Sequence, residues 1–142
     1  MIFELSDPAE AYILLIFAVT AADDDFNPVE FQSSHSFLEG ISAFQRHDDD
    51  TIANFWIDMT RIFFEEFKRG SRLSWHEAED LIGAAKMILP VDQYETAYAM
   101  TVQTAVADGL QEREQRFLAQ LQRGLHIGDS AAEAILAHVQ GY

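Results

Sequence analysis

The chain has 142 residues, a single domain's worth and long enough to bury a core. It is 49% apolar with eleven Phe and two Trp, which excludes disorder, and its lack of cysteine excludes disulfides, thiolate zinc sites and Cys nucleophiles. Nine Lys and Arg against 24 Asp and Glu leave a net charge of −15, a field that repels nucleic acid and anionic membrane and favours cations, basic partners or plain solubility.

Seven helical segments are predicted. The first takes Asp7 as N-cap, Pro8 at N1 and Glu10 at N3, and runs to about Ala22. Its apolar residues go nearly all the way round, as in a helix enclosed by others. The run from Ala11 to Ala22 is shorter than the roughly 20 residues a membrane span needs. Glu4, Asp7 and Glu10 precede it where a signal peptide carries positive charge. No transmembrane segment is expected, and the absence of cysteine suits the cytoplasm.

The second helix opens on Asn27-Pro28 with Glu30 at N3 and ends near Gly40. Residues 41–50 read as a connector closing in His47-Asp48-Asp49-Asp50, whose carboxylates suit the start of the next helix. That third helix, about Asp50 to Arg69, carries Ile52, Phe55, Trp56, Met59, Ile62, Phe63 and Phe67 on one stripe. It closes with Lys68, Arg69, Gly70 and Arg72, and Phe64 falls off the stripe as an exposed residue or a contact in a homo-oligomer. Ser74 with Glu77 opens the fourth helix, which stops before Pro90. Asp92 with Glu95 opens the fifth, whose Ala97, Ala99, Ala105 and Ala107 admit close neighbours. The sixth spans about Glu112 to Arg123 and ends with Gly124. Gly128 and Asp129-Ser130 introduce the seventh, which runs to about Gln140.

An internal repeat underlies this series. Glu10 to Glu30 and Glu95 to Glu114 share one order: buried helix, Ala-Asp, a short acidic turn, and a helix opening on Glu. Two pseudo-equivalent halves of one bundle, about 7–40 and 92–125, account for it better than a solenoid of three or more short periods.

Ala22-Asp23-Asp24-Asp25-Phe26-Asn27-Pro28-Val29-Glu30 resembles the Ala-Asp-Gly-x-hydrophobic-x-Pro-x-Glu turn of the TerB-like family of tellurite-resistance proteins. Ala107-Asp108-Gly109 through Glu114 resembles that family's second copy, and the likeness extends over nearly the whole of 1–142 as one domain. The resemblance implies an all-α single-domain bundle with an internal duplication. It also implies a non-catalytic role associated with resistance to tellurite and other stresses, in metal-responsive complexes with calcium-binding and membrane-protein partners. Asp24 stands where the family usually has Gly, a substitution Asp tolerates better than most residues. The second turn is one residue shorter, so Asp108 and Glu114 are not geometric copies of Asp23 and Glu30.

The first turn sets Asp23, Asp25, Asn27 and Glu30 within eight residues, a hard oxygen donor set of the kind Ca²⁺ or Mg²⁺ prefers. An EF-hand is excluded by Pro28 and Ser34 at the positions that need Gly and the bidentate Glu. Capping alone would also select Asp, Asn and Glu there. A divalent-cation site shared by Asp23, Asp25, Glu30, Asp108 and Glu114 is the expectation if the two turns face each other; the alternative is a purely structural interaction module with no metal site. Asp48-Asp49-Asp50 beside His47 offers a second set of oxygens, or simply a solvated helix start.

His76-Glu77-x-x-Asp80 lacks the second His of a zinc-protease signature, and capping by Ser74 and Glu77 explains it. Ser33, Ser34 and His35 point in different directions on a helix, His126 and His138 have no ligand spacing, and no phosphate loop is present. A bundle-core metal enzyme would need inward Glu-x-x-His pairs, which the sequence lacks. Arg61, Lys68, Arg69 and Arg72 form a small basic cluster that could meet an acidic partner or complement a helix dipole.

Overall fold

The computed structural model describes residues 5–21, 42–66, 74–107 and 112–140. Every regular element among them is helical: α1 (Pro8–Ala21), α2 (Ser42–Gln45), α3 (Asp49–Glu66), α4 (Trp75–Ile88), a 3₁₀ turn (Val91–Gln93), α5 (Tyr94–Ala107), α6 (Glu112–Gly124) and α7 (Asp129–Gln140). The expected all-α bundle is there. The helix predicted from Asn27 to Gly40 lies outside the described residues, as do Lys68, Arg69, Gly70 and Arg72.

The bundle is built around α1. Every residue from Ala9 to Val19 is buried, and Tyr12, Ile13, Leu14, Leu15 and Ile16 expose no surface at all. Successive side chains on a helix leave it about 100° apart, so such a run can be covered only by neighbours on every side. Helices α3, α4 and α5 supply most of that cover, and α2 and α6 complete it. The ring of Phe17 meets Trp56 of α3 edge-on at 5.9 Å, and Tyr12 meets Phe44 of α2 in the same manner at 5.9 Å.

The one carboxylate within this buried run is spent on the helix start. Glu10 Oε1 accepts from Ser6 N (2.8 Å), Ser6 Oγ (2.7 Å) and Asp7 N (3.0 Å). Asp7 Oδ1 in turn accepts from Ala9 N at 2.9 Å, so the cap predicted from Asp7, Pro8 and Glu10 is made reciprocally. The other oxygen, Asp7 Oδ2, lies 3.0 Å from His47 Nε2, and the His47 ring stands edge-on to Phe55 at 5.1 Å. The cap of α1 is thereby tied to α3.

Two boundaries differ from expectation. The stretch read as a connector contains the one-turn helix α2, which sets buried Phe44 against the Tyr12 ring. The fifth helix begins at Tyr94, after a 3₁₀ turn in which Gln93 N donates to Pro90 O at 2.9 Å. That turn places Gln93 Oε1 to accept from Tyr12 Oη at 2.9 Å. Burial, and secondarily the charge of Asp92, pushes the Tyr12 phenol up to about 12, so it stays a neutral donor across the physiological range.

Helix α5 lies against α1 and buries Ala97, Met100, Thr101, Val102 and Ala105, while Glu95, Thr96 and Gln103 are exposed. Its two buried hydroxyls are satisfied within the helix: Thr101 Oγ1 donates to Ala97 O at 2.8 Å and Thr104 Oγ1 to Met100 O at 3.0 Å. Helices α6 and α7 close one side of the bundle, with Phe117, Leu118 and Leu121 of α6 and Ala132 of α7 in the core. Among the described residues no helix is long and apolar enough to cross a membrane.

Candidate functional site

Of the five residues expected as cation ligands, Asp23, Asp25, Glu30 and Asp108 lie outside the described residues. Glu114 is described. It sits in the first turn of α6, 3% exposed, where a helix N-terminus favours negative charge. Among the described residues no three His, Asp or Glu side chains gather into a metal-holding group.

The other sequence candidates divide plainly. Asp48 Oδ1 accepts from Thr51 N at 2.8 Å, and hydrogen bonds from the Thr51 side chain and backbone hold its carboxyl below the usual range. With Asp49 and Asp50 exposed in the first turn of α3 and His47 turned towards Asp7, this run is a helix cap. Glu77 Oε1 accepts from Ser74 N at 3.1 Å while Ser74 Oγ accepts from Glu77 N at 3.1 Å, and His76 is exposed. The zinc-protease look-alike is therefore a capping box. Arg61 pairs with Glu65 at 3.6 Å on the exposed face of α3. Ser33, Ser34, His35 and the side chain of Phe64 lie outside the described residues.

The recess with chemical character lies between α4 and α6. It is an open cleft of about 430 Å³ lined by Trp75, Glu79, Ile82, Gly83, Lys86, Gln120, Arg123 and Gly124. Residues 75, 79, 82, 83 and 86 recur at 3,4 spacing and so form one face of α4. Trp75 leads that face because the Ser74 cap starts the helix immediately before it. Its indole is 50% exposed, donates Nε1–H to Glu79 Oε1 at 3.2 Å, and carries the Arg123 guanidinium 5.7 Å from its ring centre. Buried Gln120 donates Nε2–H to the Trp75 carbonyl at 3.0 Å, which fixes the end of the cleft to α6.

The floor is made by backbone proximity. A Cβ built on Gly124 would stand 2.6 Å from Ile82 Cγ2, so this glycine permits the close approach of α6 to α4. It is also the last residue of α6, as expected. The helix ends in a Schellman motif: Ile127 N donates to Gln122 O at 2.9 Å and His126 N to Arg123 O at 3.2 Å. The residue this motif needs in left-handed geometry is His126, at φ 56°, a position usually given to glycine. His126 is thus turned towards α4, where Lys86 Nζ donates to its Nε2 at 2.8 Å, since an ammonium can only donate.

Compared with protein-family models, curated proteins and solved structures, the chain matches none.

His126 carries no ligand spacing in the sequence, and nothing there marked it; the signal would have been the Leu-His-Ile-Gly text after an amphipathic helix, where a left-handed residue is needed. Replacing it tests whether the geometry is held at a cost. His126→Gly is expected to raise the unfolding free energy by about 0.5–1 kcal/mol, the relief of a side chain from left-handed backbone. Urea denaturation measures this. A loss of stability instead would mean that the bond to Lys86 outweighs the backbone strain.

Proposed function

We propose that this chain is a TerB-like bundle with an internal duplication, acting in the cytoplasm without catalysis, and that it binds a divalent cation at its paired acidic turns and passes that state to a protein partner. The pairing of α1 with α5 carries the reading. The two helices begin and end 86 positions apart (8 to 94, 21 to 107), α1 is buried on every side and α5 on the side that meets the core, and they pack on each other. In the sequence each leads directly into one of the acidic turns. Buried Glu114, in the turn after Asp108, supports a carboxylate facing inward at the second turn. The role in tellurite and stress resistance rests on the resemblance of the turns alone.

The alternative is an interaction module without a metal. The observation that favours it is the employment of described carboxylates as caps, as in Glu10, Asp48 and Glu77.

A thermal-shift series separates the two. A cation at about 100 times its Kd stabilises by about 2.7 kcal/mol through mass action, a rise of several degrees in Tm. Millimolar Ca²⁺ or Mg²⁺ is expected to produce that rise, and Asp23→Asn, Asp108→Asn and Glu114→Gln each to abolish it. A Tm unmoved by any divalent ion would sink the cation site and leave the interaction module.

A further inference from the structure

We propose that the α4–α6 cleft docks an acidic peptide segment of another protein, with its carboxylates on Arg123 and Lys86 and an apolar side chain against Trp75 and Ile82. The inference rests on the reading of the chain as a binding module, but not on the cation.

Charge selects the partner. In a chain of net charge −15 the cleft lining holds two cations, Lys86 and Arg123, against one carboxylate, Glu79, which is engaged with the Trp75 indole. Seating over the Trp75 ring holds the Arg123 guanidinium in place, so less side-chain freedom remains to be lost when a carboxylate arrives. Lys86 is held at the far end by His126. A basic segment, which the overall field would attract, meets like charge at both ends of the cleft. An acidic segment meets two opposite charges and one like charge, Glu79, in the cleft, and salt at about 0.15 M screens the long-range repulsion of the rest of the chain beyond about 8 Å.

Shape selects a peptide over a small molecule. From Trp75 to Lys86 the α4 face runs eleven residues, about 16 Å at 1.5 Å per residue, the length of three helical turns. The cleft is open along this length, and nothing lies within 4 Å of a Cβ built on Gly83, so an incoming chain can approach the α4 backbone there. Apolar surface continues beyond the cleft: Met87, one turn after Gly83, is 90% exposed, and Val91 follows it. An amphipathic acidic segment would cover this strip with its apolar face, in the manner of a helix in a groove.

The test uses the full chain in EDTA and a fluorescent synthetic peptide of about three helical turns, with Leu and Phe at i, i+4 spacing and Glu or Asp elsewhere. The control peptide replaces every carboxylate by its amide. Fluorescence anisotropy is expected to show saturable binding of the acidic peptide, weakened about tenfold or more by Arg123→Gln, by Lys86→Gln and by Trp75→Leu, with the amide control weaker by at least as much. The first two changes are on exposed or half-exposed side chains, and circular dichroism is expected to show them folded. Equal binding of both peptides, no saturation at millimolar protein, or full affinity in folded Arg123→Gln and Lys86→Gln would each overturn the proposal. Sedimentation that showed self-association lost in Arg123→Gln would assign the cleft to a second copy instead, and also overturn it. Because EDTA is present throughout, a failure here is distinct from a failure of the cation site.

Discussion

Leu15→Ala is expected to lower the unfolding free energy by about 3–5 kcal/mol, the upper part of the range for truncating a buried leucine. The cost depends on whether the site can collapse around the missing atoms. Leu15 exposes no surface and lies in the middle of α1, with α3, α4 and α5 packed around that helix. Those three cannot all move inward, since α4 is fixed to α6 by Gln120 and Gly124, and α5 bears on α6 and α7. Domains have total stabilities of about 5–15 kcal/mol, so this one change would remove a large part of the whole. Ile57→Ala, on the exposed side of α3, is the control and is expected to stay within about 0.5 kcal/mol of the parent. Urea denaturation at constant m-value measures both. A Leu15 effect below about 1 kcal/mol would mean that α1 is not the centre of the bundle.

The features legible in the sequence were those set by neighbours along the chain. The apolar text of α1 from Ala11 to Val19 announced a helix covered on all sides, because no other arrangement hides nine consecutive apolar side chains. Asp7-Pro8 with Glu10 and Ser74 with Glu77 announced their caps, because a cap is a local exchange of hydrogen bonds over three or four residues. What stayed hidden depends on pairs far apart in sequence. Gln120 and Trp75 are 45 positions apart, Lys86 and His126 are 40, and only the packing of α4 on α6 brings them together. The 3₁₀ turn at Val91–Gln93 was hidden for the same reason, since its purpose is the distant Tyr12 hydroxyl. Of the candidate cation ligands, the described portion places Glu114 alone, on the buried side of α6.

Gly124→Ala separates local propensity from long-range packing, because the two predict opposite signs. Gly124 is the last residue of α6, and replacing a helical glycine by alanine gains about 1 kcal/mol from backbone entropy. Against this, the new methyl would stand 2.6 Å from Ile82 Cγ2. That atom cannot swing aside: Ile82 is buried on α4, and a β-branched side chain in a helix has essentially one χ1 rotamer. The helices must part, and overpacking of this kind costs about 1–3 kcal/mol, so a net loss of about 1–2 kcal/mol is expected. Parting them also disturbs the Gln120–Trp75 hydrogen bond and the Arg123–Trp75 contact, and the fluorescence of exposed Trp75 is expected to change with the stability. A double-mutant cycle identifies the cause. Ile82→Ala alone costs about 2–5 kcal/mol by leaving a cavity, but it removes the obstructing methyl. The double variant is therefore expected to be more stable than the sum of the two changes by about 1–2 kcal/mol, as the methyl added at position 124 fills part of the space. If Gly124→Ala stabilises the chain and shows no coupling to Ile82, the contact between α4 and α6 is looser than 2.6 Å implies, and the cleft they enclose loses its fixed floor.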